Sequence, residues 1–268
     1  MGLALLVSLL AGLATSIGGL LVLNSRTLER SFLAAALAFA AGAMIIISLV
    51  QIIPLGINYM TEITSERNAM LTVWLSFFAG IGMVMMIDRI LPDVLNPNEM
   101  EGREDELTVG DTRSTRNLMR SGILVALVLG MHNLPEGMAT FFTTYQNPTV
   151  GITLAVAIAI HNVPEGIAVA APVYAATGSK RKAFWWATFS GMTEPIGGLI
   201  AAAVVSWVVP PEFFGVFYGI VAGMMVFLAL DELLPGAWRY QTDKHQTVYG
   251  MLAGMAIMAL SFILFAAA

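Results

Sequence analysis

Apolar residues run along this chain in blocks too long for a soluble fold. Eight stretches, at about 2–23, 31–54, 69–91, 120–145, 149–174, 183–209, 213–235 and 247–267, are each long enough to cross a bilayer as a helix. Short polar turns separate most of them, and one longer polar connection covers 92–119. The pattern predicts an all-α membrane protein with eight transmembrane helices, numbered here as spans 1 to 8, in a single transmembrane domain over 1–268. No basic residue precedes span 1, and Arg26 follows it, so the stretch reads as a span and not as a cleavable signal.

The basic residues set the expected orientation. Arg26 and Arg30 follow span 1. Arg89, Arg103, Arg113, Arg116 and Arg120 lie around the 92–119 connection. Lys180, Arg181 and Lys182 separate spans 5 and 6, and Arg239 and Lys244 follow span 7. Of the 13 Lys and Arg residues, Arg67 alone falls on the other side. The positive-inside rule then puts those four connections in the cytoplasm and both termini outside. The 92–119 segment reads as a solvated cytosolic loop, acidic through Asp93, Glu99, Glu101, Glu104, Asp105, Glu106 and Asp111.

Composition narrows the function. The chain is 57% hydrophobic and only 12% charged, with a mean hydropathy of +0.79. Those values exclude a soluble enzyme and a disordered chain. A net charge of −5 leaves no basic footprint for nucleic acid. Cysteine is absent, which removes disulfides and thiolate metal sites.

Two internal repeats organise the spans. His132-Asn133-Leu134-Pro135-Glu136-Gly137 recurs 29 residues on as His161-Asn162-Val163-Pro164-Glu165-Gly166. The two copies sit at equal distances from the Gln146-Asn147-Pro148 turn, so antiparallel spans 4 and 5 carry them at one depth. At the rise of an α-helix that depth is about 20 Å from the turn, near mid-bilayer. A fainter repeat relates span 2 (Ala41-Gly42-Ala43-Met44, Leu49, Gln51, Pro54) to span 7 (Ala222-Gly223-Met224-Met225, Leu230, Glu232, Pro235), offset 181. Span 1 (Gly12, Ile17-Gly18-Gly19-Leu20) matches span 6 (Gly191, Ile196-Gly197-Gly198-Leu199), offset 179. Spans 3 and 8 share Ala79-Gly80 and Ala253-Gly254. A shift of five helices inverts the second copy, and inverted repeats around a mid-membrane site are a transporter design.

The chemistry lies in the deep polar residues. His132, Glu136, His161, Glu165 and Glu194 are ionisable groups well inside spans 4 to 6, with Asn133 and Asn162 beside them. Each is costly in a bilayer and needs a partner or a task. Glu194 lies 29 residues past Glu165 across the Gly178-Ser179-Lys180-Arg181 turn, so it returns to the same depth. Three carboxylates at close quarters repel one another, and a divalent cation relieves that. Imidazole nitrogen with carboxylate oxygen suits Zn²⁺, Fe²⁺, Mn²⁺ or Co²⁺. The donor set is large enough for a binuclear site sharing a bridging carboxylate. Pro135, Pro164 and Pro195 each remove a backbone N–H and release carbonyls beside the site.

The expected function is transport of divalent transition metals, with the ion as substrate and no resident cofactor. No phosphate-binding loop points to ATP. An intramembrane metal-dependent hydrolase is the alternative from another class, since bound metal activates water. The chain has no His-Glu-x-x-His, and its three carboxylates crowd the ion. A metal-gated channel is a third reading; saturable flux separates a carrier from it. A purely structural His–Glu core leaves three carboxylates against two histidines unexplained.

These residues resemble the ZIP (Zrt-/Irt-like) family of divalent-metal transporters, its bacterial branch in particular. The likeness is carried by Ala40-Ala41-Gly42-Ala43-Met44, the two His-Asn-x-Pro-Glu-Gly motifs, Ala176-Thr177-Gly178-Ser179-Lys180-Arg181, Ser190-Gly191-Met192-Thr193-Glu194 and Asp231-Glu232-Leu233-Leu234-Pro235. The resemblance implies a 3+2+3 arrangement, with spans 4 and 5 between inverted three-helix repeats, and a homodimer in the inner (cytoplasmic) membrane. It implies inward movement of Zn²⁺ and related ions, Cd²⁺ among them, as one helix bundle slides or rocks against the other. It places one metal site on Met44, His132, Glu136, His161 and Glu165, and a neighbour on Asn133, Glu136, Asn162, Glu165 and Glu194. The chain departs from the family pattern at Gln51, where Glu is expected, and at Asn162, where some members carry Asp. Its acidic 92–119 loop lacks the histidines often found there.

The remaining polar residues read more simply. His245 is an exposed loop residue. Asp88-Arg89 and Asp231-Glu232 sit near span ends, as interfacial anchors or as an exit site for the ion. Met83, Met85, Met86, Met224 and Met225 read as adaptable packing, and Trp185-Trp186 as an interfacial belt.

Overall fold

The computed structural model describes residues 1–22, 29–90, 130–207 and 209–266. The 92–119 connection lies outside them. Every regular element among the described residues is helical. In lipid this is the arrangement that satisfies each backbone group within its own segment.

Span 1 is Gly2–Leu21 and span 3 is Glu66–Ile90. Span 4 is helical over 130–146, span 5 is Pro148–Thr177 and span 8 is Gln246–Ala266. Asn147 joins spans 4 and 5, and its side chain accepts the Val150 N–H. Gly178 ends span 5 at φ +62°, a conformation that suits glycine. Ser179 then caps span 6 by accepting the Lys182 N–H. The two turns inferred from motif spacing are therefore present. Among the described residues, seven helices are long and apolar enough to cross a membrane, and span 4, described in part, is a further helix.

Three spans are interrupted. Span 6 breaks between Lys180–Gly191 and Thr193–Val205, just ahead of Glu194. Spans 2 and 7 run further than their prolines suggest, to Thr61 and Tyr240, beyond the expected ends near 54 and 235. The physical reason is a π-turn. Span 2 is Arg30–Ile47, a π-turn at Ser48–Ile52, then Ile53–Thr61. Span 7 is Pro211–Leu228, a π-turn at Ala229–Leu233, then Leu234–Tyr240. Ile53 N–H reaches back five residues to the Ser48 carbonyl, and Leu234 N–H to that of Ala229. The wide turn lets Pro54 and Pro235 start a fresh helical segment, where a missing N–H costs nothing. The two π-turns are 181 residues apart at both ends, so the faint repeat is written in backbone geometry.

Side-by-side packing repeats as well. A Cβ added to Gly42 would strike the Met251 carbonyl, and one on Gly223 the Phe77 carbonyl. Gly254 abuts the Phe39 carbonyl as Gly80 abuts that of Ile220. The span 2–span 8 contact is thus the span 7–span 3 contact turned over. Around the motifs, Gly18 lies on the Val163 carbonyl and Gly197 on the Leu134 carbonyl. Gly166 lies on the Thr15 carbonyl and Gly137 on the Glu194 carbonyl. Gly12 and Gly191 face each other's carbonyls. A pseudo-twofold axis therefore exchanges spans 1 and 6, 2 and 7, 3 and 8, and 4 and 5. Small residues at these points let backbones approach, the usual means of helix association in lipid.

In space the eight spans regroup as four and four. Spans 1, 4, 5 and 6 pack around the motifs, and spans 2, 3, 7 and 8 form a second bundle. Spans 2 and 5 meet along the seam. At one end of the seam Phe142 of span 4 packs edge-on against Phe213, Phe214 and Phe217 of span 7. There the buried Tyr218 hydroxyl lies 2.8 Å from Thr143 Oγ1.

The glycine contacts make a direct prediction. Gly42→Val and its repeat mate Gly223→Val are each expected to destabilise the purified protein by about 1–3 kcal/mol, read as a lower thermal midpoint. Gly82→Val, whose added Cβ meets nothing within 4 Å, is the control and leaves the midpoint in place. Equal midpoints for all three would contradict the packing described.

Candidate metal centre

Spans 4, 5 and 6 bring seven of the eight expected site residues into one buried layer. His132, Asn133, Glu136, His161, Asn162, Glu165 and Glu194 are all at most 2% exposed. Helical periodicity puts His132 and Glu136 on one face of span 4, and His161 and Glu165 on one face of span 5. The pairing crosses between the helices. His132 Nε2 lies 3.3 Å from Glu165 Oε1, and His161 Nε2 lies 3.6 Å from Glu136 Oε2. The same-helix pair, His161 Nε2 to Glu165 Oε1, is longer at 3.9 Å. The two crossed pairs are images of each other under the pseudo-twofold.

Glu194 enters from the break in span 6. It stands in the first turn of Thr193–Val205, where the free N–H groups of a helix end favour a carboxylate. Asn162 Nδ2 donates to Glu194 Oε2 at 2.8 Å and to the Ala11 carbonyl of span 1 at 3.0 Å. The Asn162 amide is thereby oriented, with Oδ1 unpartnered.

The tautomer of His161 follows from its other nitrogen. Nδ1 lies 3.2 Å from the Ala157 carbonyl, which can only accept, so Nδ1 carries a hydrogen. In the neutral ring the Nε2 lone pair then faces carboxylate oxygens of Glu136 and Glu165. That arrangement is repulsive unless a proton or a cation lies between them.

Both carboxylate oxygens of Glu136, Oε2 of Glu165, Oε1 of Glu194, Oδ1 of Asn162, both amide atoms of Asn133 and Nε2 of His161 are buried without a hydrogen bond. Buried polar atoms of this kind are costly, and nearly all of these are lone-pair donors. Nitrogen and oxygen donors in this mixture fit Zn²⁺ and its neighbours. Among the described residues, no three of the His and Glu side chains already close around a single point. They hold one another instead.

Met44 is fully buried in span 2, on the other bundle, and Ser48 Oγ donates to its carbonyl at 2.7 Å. Gln51, in the π-turn of span 2, has a buried Oε1 with no partner. Reading the sequence alone missed span 1. The Ala11 carbonyl holds Asn162, and the Thr15 hydroxyl is buried and unpartnered. The 179-residue offset between spans 1 and 6 was the available signal, since it sets Thr15 opposite Glu194.

Known proteins resemble this chain in sequence. The sequence profile of the family described as ZIP zinc transporter matches residues 97–261. A protein named zinc transporter ZupT from Corynebacterium aurimucosum is 44% identical over 258 residues, 96% of this chain and 95% of the relative. Proteins of the same name from Streptococcus mutans and Stenotrophomonas maltophilia are 41% and 45% identical. Each alignment covers 98% of this chain, with 97% and 95% of the respective relatives. The likeness read from the motifs thus extends over nearly the whole sequence, and the chain belongs to the ZIP zinc transporter family.

Proposed function

We propose that this protein carries Zn²⁺, with Fe²⁺, Mn²⁺, Co²⁺ and Cd²⁺ as related cargo, across the bacterial inner membrane into the cytoplasm. The ion passes through the buried layer on spans 4, 5 and 6. Family membership makes the chain a multi-pass membrane transporter and not a hydrolase. The observation that carries the site assignment is His161 Nε2 set 3.6 and 3.9 Å from oxygens of two carboxylates, in a layer of unpartnered donors.

One ion is bound by Met44, His132, Glu136, His161 and Glu165. A second is bound by Asn133, Glu136, Asn162, Glu165 and Glu194. Glu136 and Glu165 bridge the two. Each carries an oxygen beyond the one facing a histidine, which supports a shared role. The positive-inside rule places both termini outside and the basic connections in the cytoplasm. In that orientation the aromatic cluster around Tyr218 and Phe142 lies at the outer end of the seam and closes it. Transport requires spans 1, 4, 5 and 6 to move against spans 2, 3, 7 and 8. The inverted repeats favour two such arrangements of similar energy, one open to each side. Met44, alone among the site residues, belongs to the second bundle, so it is gained or lost as the bundles shift.

Two expectations follow for the purified protein. In proteoliposomes, wild type is expected to take up radioactive zinc saturably, and Glu165→Ala to lose most of that flux. Wild type and variant alike, in well-folded preparations, would remove the transport reading. By calorimetry, His132→Ala and Glu136→Ala are each expected to weaken zinc binding by about tenfold or more while retaining the fold. Unchanged affinity in both would mean that the ion binds elsewhere.

A further inference from the structure

Thr15 of span 1 is fully buried, and its hydroxyl has no hydrogen-bond partner. Ser16 and Thr140 are, like Thr15, buried hydroxyls without a partner, whereas several other helical hydroxyls return their hydrogen to the carbonyl four residues back. Ser8, Ser48, Thr143, Thr144 and Thr177 all do so. Thr15 does not, although a buried hydroxyl left unpaired is costly. Asn133 is equally buried, and neither of its amide atoms has a partner.

The pseudo-twofold relates these two orphans. It carries Thr15 onto Glu194 and Asn133 onto Asn162. The correspondence rests on contacts: the Thr15 carbonyl lies against Gly166 as the Glu194 carbonyl lies against Gly137. A Cβ added to Gly191 would lie 2.7 Å from Thr15 Cβ, as one added to Gly12 would lie 3.1 Å from Glu194 Cβ. Asn162 donates to Glu194 at 2.8 Å. The symmetry mate of that bond would join Asn133 to Thr15, and both of those groups stand unpartnered.

We infer that Thr15 is a positioning residue for the metal centre: its hydroxyl receives the Asn133 Nδ2–H when the layer is loaded, turning Asn133 Oδ1 toward the ion. This rests on the donor layer being the cation site. It also accounts for where the second ion sits. The axis offers two equivalent places, one beside Glu194 and one beside Thr15. A carboxylate at both would put four negative charges in the layer. Threonine offers a shorter hydroxyl there and omits the charge, so the second ion is drawn to the Glu194 side.

Calorimetric zinc binding to the full chain in nanodiscs tests this, with size exclusion and thermal midpoints confirming fold. Thr15→Val, which keeps shape and loses the hydroxyl, is expected to weaken zinc affinity by about tenfold, as loss of a ligand-orienting partner does. Thr15→Ser is expected to stay within about threefold of wild type. Glu194→Thr is expected to weaken binding, and the exchange Thr15→Glu/Glu194→Thr to recover it by rebuilding the second site on the mirror side. Affinity in Thr15→Val equal to wild type, or lost equally in Thr15→Ser, would overturn the inference. So would an exchange variant that folds yet binds no better than Glu194→Thr. If the exchange does not fold, the Val and Ser pair decides. Absence of zinc binding by wild type would refute the site itself, a result distinct from a silent Thr15.

Discussion

Three glutamates and two histidines share a space from which lipid and helix packing exclude water, and the rest of the molecule is arranged around that fact. An ionised group at the centre of a membrane helix costs about 2.5–3.5 kcal/mol even on lenient scales. The crossed pairs His132–Glu165 and His161–Glu136 offset part of that cost. They leave several carboxylate and amide atoms unpartnered, with Glu194 held by an amide and no cation of its own. A core built for stability alone would end with its charges matched. This one stays short of positive charge.

The pseudo-twofold explains how such a layer is assembled. Spans 4 and 5 contribute one motif each at one depth, and spans 1 and 6 clasp them through glycine contacts that repeat in inverted order. Spans 2 and 7 carry matched π-turns, each next to a proline. π-turns shift the register of a helix by a residue and are often found at functional places. Here they let two helices pass their prolines and continue through the membrane. Departures from the symmetry are chemically as informative as the symmetry. Glu194 against Thr15 places charge on one side only, and Glu232 against Gln51 does the same between spans 7 and 2.

Much of this was legible in the sequence. Block hydropathy yields the spans, and equal distances from the Asn147 turn put His132 and His161 at one depth. The Gly178 turn returns Glu194 to it. Two features were not legible. Pairing within one helix, His132 with Glu136, looks natural from i,i+4 spacing, but side-chain direction depends on how the helices face each other, so the closer pairs run between helices. The prolines at 54 and 235 read as span ends because a π-turn has no composition signal. The Ala79-Gly80 and Ala253-Gly254 pairs, faint as a repeat, mark the places where spans 3 and 8 touch spans 7 and 2.

The most direct test of a cation held in this layer is zinc-edge anomalous diffraction from crystals of the protein grown with zinc. The account predicts scattering between spans 4, 5 and 6, bonded to imidazole nitrogen and to oxygen of Glu136 and Glu165. Zinc found only at surface carboxylates, with the crossed His–Glu pairs intact and the layer empty at saturating metal, would contradict it.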